Sequence, residues 1–132
     1  MYIFTLVGDV KKVIEILRHR YGDYKLAMLY NSDLDAPTNW NLIVSSEWTD
    51  NFGVPAAIKV IAKALHESLG LENKGAISRI TVLKTNDPFV KDMTHIYPVP
   101  GGQGGVPLSQ VTAGGITEGA GFVFYSQPEI PV

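Results

Sequence analysis

The chain has 132 residues, 45% of them hydrophobic and 18% charged, the size and balance of one globular domain rather than of a disordered segment. A formal net charge of -2 leaves no basic footprint, which argues against nucleic-acid binding driven by phosphate neutralisation. With no cysteine in the chain, thiol chemistry, thiolate metal sites and disulfides are excluded.

The N-terminal "MYIFTLVGDVKK" has no basic residue before its short apolar run and no small-residue cleavage site after it, so no signal peptide is expected. No segment approaches the roughly 20 apolar residues that span a bilayer, and a cytoplasmic protein is the expectation. Over residues 9–21, "DVKKVIEILRHRY", the spacing of Val10, Val13, Ile14, Leu17 and Tyr21 predicts a helix, with Asp9 as its N-cap and Gly22 as its stop. Next, "YKLAMLY" alternates Tyr24, Leu26, Met28 and Tyr30 with Lys25, Ala27 and Leu29, a strand buried on one face and largely so on the other. "WNLIVSSEW" sets Trp40, Leu42 and Val44 on one face, with Asn41, Ile43, Ser45 and Glu47 on the other. The two strands are expected to pair as an antiparallel hairpin.

Asn51, Phe52 and Gly53 break that pattern, and Pro55 suits the first turn of a second helix that buries Ile58, Ile61, Ala62, Leu65 and Leu69 before Gly70 ends it. "AISRITVLK" is rich in β-branched residues and predicts a third strand. "NDPFVKDM" predicts a short helix with Asp87 as cap and Pro88 at its first position, followed by an extended "THIYPV". Glycine and proline then dominate, and one strand stands out, "GFVFYS", in which Phe122 and Phe124 alternate with Val123 and Tyr125. The expected organisation is an α/β domain over residues 1–98, with a small mixed sheet and helices packed on one face. Residues 99–132 form a Gly/Pro-rich C-terminal arm that is not a separate domain. An exposed aromatic strand needs a surface to cover, and docking across a subunit boundary is the preferred expectation, which makes the protein a homo-oligomer.

His19, His66 and His95 lie on different segments without the i, i+3 or i, i+4 spacing of a helical metal pair, so no zinc site is expected. No serine sits in a nucleophile elbow. "GGQGG" is not followed by Lys-Ser or Lys-Thr, and reads as a hinge or turn rather than a phosphate loop.

The order helix, strand, loop, strand, helix, strand, together with "LYNSDLDAPTNWNLIVSSEW", resembles the minimal nucleotidyltransferase domain. Asn31-Ser32 stands where that family has Gly-Ser, "NWNLIV" stands at its Asp-X-Asp and apolar run, and "NDPFVKDMTHIYPV" is similar to its closing pattern. The resemblance covers residues 10–99. It implies a cleft near Ser32, Asn39 and Asn41, and it implies that the carboxylates needed to gather Mg²⁺ on a nucleoside triphosphate are replaced by the amides of Asn39 and Asn41. The expected function is therefore a non-catalytic, regulatory or protein-interaction role, with nucleotide binding retained and no metal cofactor. Small members of that family pair with helical partner proteins, so such a partner is implied. The alternatives are an active Mg²⁺-dependent nucleotidyltransferase that recruits Asp33, Asp35 or Glu47, and a purely structural oligomer. Each of these carboxylates also has a plain reading, as a solvated turn or strand-end charge.

Overall fold

The structure is a computed structural model that describes residues 3–31, 39–70, 73–99, 106–108 and 120–128. Helix α1 (Ile3–Tyr21) leads into the hairpin β1 (Leu26–Asn31) and β2 (Trp40–Ser45), followed by α2 (Glu47–Phe52), α3 (Val54–Ser68), β3 (Ile77–Val82), α4 (Pro88–Ile96), β4 (Val106–Leu108) and β5 (Ala120–Ser126). The strands form one mixed sheet in the order β3-β2-β1-β5-β4. β2 runs antiparallel to β1 and parallel to β3, the parallel pair being joined through α2 and α3.

The sheet is buried on both faces. Leu6, Val10, Val13, Ile14 and Leu17 of α1, Trp48 of α2 and Ile61 and Leu65 of α3 pack with Ala27, Leu29, Leu42, Val44 and Phe124. On the other face, Phe89, Val90 and Met93 of α4 cover Leu26, Met28, Ile43 and Val123. The α/β class and mixed sheet agree with expectation, and three of the four helices among the described residues share a face. α4 departs from the one-face arrangement because β1, whose six residues are all buried, presents apolar side chains on both sides of the pleat.

α1 begins two turns before Asp9, because Leu6 extends the apolar stripe toward the N-terminus. Asp9 is therefore an internal residue rather than an N-cap. Its Oδ2 accepts from the Gly70 N–H at 2.9 Å and from Asn73 Nδ2 at 3.0 Å, tying α1 to the turn before β3. Those two bonds, the Asn73 side chain first, hold the Asp9 carboxyl below its ordinary range.

β2 ends at Ser45, earlier than the sequence pattern suggests, because Ser46 caps α2. Its Oγ accepts from Trp48 N, and Thr49 Oγ1 accepts from the Ser46 N–H at 3.0 Å. The extended "THIYPV" is also corrected: Thr94, His95 and Ile96 complete α4, and only Val99 pairs onward, with Ser126.

The strand of the C-terminal arm docks on its own domain. β5 lies beside β1 and has β4 on its outer side, so the cross-subunit arrangement is not the one observed. A register shift between Ala27 and Met28 leaves Phe124 as a bulge residue between the pairs Ala27↔Tyr125 and Met28↔Val123. Phe124 and Tyr125 consequently both join the core under α1. The Tyr125 hydroxyl donates to Glu15 at 2.8 Å, and Arg18 bridges Glu15 and Asp23. Burial, reinforced by the Glu15 bond, pushes the Tyr125 hydroxyl up to about 12.

Candidate functional site

The head of β2 is where the sequence places its candidate cleft, and a recess of about 330 Å³ opens there, lined by Tyr30, Asn39, Asn41, Ser78 and Arg79. Three strands build it. Antiparallel pairing sets Tyr30 of β1 opposite Asn41. Parallel pairing of β2 with β3 sets Arg79 beside Asn41, and a register shift between Trp40 and Asn41 accommodates Ser78. The bulge lets Arg79 share the Asn41 face while Ile80 follows Leu42 into the core.

The polar groups have a definite sense. Ser78 Oγ donates to Asn39 Oδ1 at 3.1 Å, and Thr81 Oγ1 donates to Asn41 Oδ1 at 2.9 Å. With both amide oxygens engaged, the Nδ2 groups of Asn39 and Asn41 are left to donate. Arg79, an exposed side chain, adds a guanidinium fork and forms no ion pair among the described residues. Among the described residues the lining thus presents the Asn39 and Asn41 Nδ2 groups and the Arg79 guanidinium as donors, a set suited to a phosphate or carboxylate.

Of the other expected site residues, Glu47 is misplaced by the sequence reading. It is the first residue of α2 and exposed. It lies beyond the far end of β2, more than about 13 Å from Asn41 by strand rise alone. There it lines a different recess, of about 180 Å³, with Tyr21, Gly22, Asp23 and Trp48. Ser32, Asp33 and Asp35 lie outside the described residues. Among the described residues no three His, Asp or Glu side chains are grouped to hold a metal ion, and no helix is long and apolar enough to cross a membrane.

The residue that sequence reasoning missed is Arg79. Its only local signal is a basic residue within the β-branched run "ISRITV", and its meaning emerges only when β3 pairs in parallel with β2. Compared with protein-family models, curated proteins and solved structures, the chain gives no match.

Proposed function

We propose that the protein is a non-catalytic, nucleotidyltransferase-like domain that binds a phosphate-bearing ligand, such as a nucleotide, at the head of β2 and serves a regulatory or interaction role. One observation carries the reading: the Asn39 and Asn41 amides have their oxygens turned to Ser78 and Thr81, which leaves donors beside Arg79. A catalytic site of that fold needs the opposite polarity, carboxylates that gather divalent cations around a triphosphate. Here the amides and the guanidinium take the place of the cation and meet the phosphate oxygens directly. The chain order α1, β1, β2, α2 with α3, then β3 supports the family reading as well, since it keeps the hairpin and the helical crossover on which the resemblance rests. Glu47 offers nothing to an enzyme at this recess, because it stands at the opposite end of the sheet.

The test is calorimetric titration of ATP and of pyrophosphate in EDTA. Both bind, and Arg79→Ala weakens both by about tenfold or more, the loss of one charge-assisted contact of about 1.5 to 3 kcal/mol. Binding that requires Mg²⁺, or transfer of a nucleotidyl group in its presence, would overturn the reading.

A further inference from the structure

The two ends of the sheet are finished differently. β4 is three residues long and carries Pro107 at its centre, so that edge lacks a backbone donor where a further strand would pair. β3, at the other end, runs for six residues with neither proline nor glycine, and no described strand lies outside it. An edge of this kind is a template for another chain.

Beside it, between α3 and β3, lies a groove of about 280 Å³. Its floor is aliphatic, from Ile58, Leu69 and Ile80 with the exposed Ala62, and among the described residues its polar lining includes Lys74 and Arg79 but no Asp or Glu. From the open edge and the groove together, we propose that β3 accepts an extended acidic segment of a partner protein, which adds to the sheet as a further strand.

The pleat dictates the chemistry of that segment. Ile80 follows Leu42 and faces α3, whereas Arg79 follows Asn41 and faces the other way. A paired strand therefore sets alternate side chains over the aliphatic groove and the intervening ones beside Arg79, which selects a sequence alternating apolar and acidic residues. A second copy of this chain is a poor occupant. Self-pairing sets the same patch against itself, and among the described residues that patch holds Lys74 and Arg79 with no carboxylate to meet them. A single-stranded nucleic acid fits less well than a peptide, because among the described residues no Phe, Tyr or Trp lines the groove as a stacking platform.

The probe is a short fluorescein-labelled peptide alternating valine and glutamate, compared by anisotropy with its valine–lysine counterpart on the full chain without nucleotide. The glutamate peptide binds and the lysine peptide binds about tenfold more weakly or worse. Ala62→Glu, at an exposed position that does not line the Asn39–Asn41 recess, lowers the affinity by a similar factor while leaving ATP titration unchanged, which separates this proposal from the recess reading. Hydrogen exchange at β3 amides slows when the glutamate peptide is bound. Equal binding of the two peptides, indifference to Ala62→Glu, unchanged exchange in β3, or displacement of the peptide by a single-stranded oligonucleotide would each overturn the proposal.

Discussion

Replacing Phe124 by alanine tests whether the C-terminal strand belongs to its own domain. The side chain is 2% exposed and sits at the β5 bulge, in the core shared by α1 and the sheet. Truncating a buried phenylalanine costs about 3 to 5 kcal/mol, the lost transfer energy plus the cavity that remains. Against a typical domain stability of about 5 to 15 kcal/mol, that is a large fraction. With a urea m-value of about 2 kcal/mol/M, the unfolding midpoint should fall by about 1.5 to 2.5 M. Because β5 pairs with β1 of the same chain, this midpoint and that of the unchanged protein should not depend on protein concentration. A strand contributed by another subunit would make both rise with concentration by mass action. A loss below about 1 kcal/mol, or midpoints that climb on concentrating the protein, would refute docking within the chain.

Asp9→Ala should cost about 1 to 3 kcal/mol, because it removes the acceptor of the fully buried Asn73 amide and of the Gly70 N–H. Since the folded Asp9 carboxyl is held below its ordinary value, its contribution is present above the unfolded value of about 3.9 and is lost as pH falls through the folded value. Denaturation melts between neutral and acid pH should therefore show a smaller acid destabilisation in the variant; identical profiles would contradict this. Ser46→Ala should lower stability by about 1 kcal/mol through the lost cap of α2, with no change in ligand binding at the far end of β2. Asn39→Asp combined with Asn41→Asp replaces two donors with anionic acceptors. It should weaken ATP binding in EDTA by about tenfold or more and create a calorimetric signal for Mn²⁺; unaltered ATP affinity would contradict the donor assignment.

Elements with strong local signals were legible in the sequence. The alternation around Phe122 and Tyr125 located β5, and the Asp87-Pro88 pair located the start of α4. What escaped local reading depended on competing caps or distant pairing. Asp9 resembles an N-cap, but the tertiary packing of Leu6 carried α1 past it. Ser46 resembles one more strand residue until Thr49 closes the capping box, and this moved Glu47 off the sheet. The place of β5 in its own sheet could not be read from a glycine-rich connection, whose composition permits either a local or an intermolecular reach. Arg79 was invisible as a recess residue because its proximity to Asn41 arises from the β2–β3 register and from the bulge at its start, neither of which leaves a mark in either segment alone.

The most direct test of the central claim follows the side-chain amide resonances of Asn39 and Asn41 by NMR while ATP is added in EDTA. If their Nδ2 groups are the donors that Ser78 and Thr81 leave free, both signals move and saturate together without metal, and Arg79→Ala shifts that saturation to higher ATP concentration. Amide signals that stay in place in EDTA and respond only when Mg²⁺ is supplied would contradict a metal-free anion site.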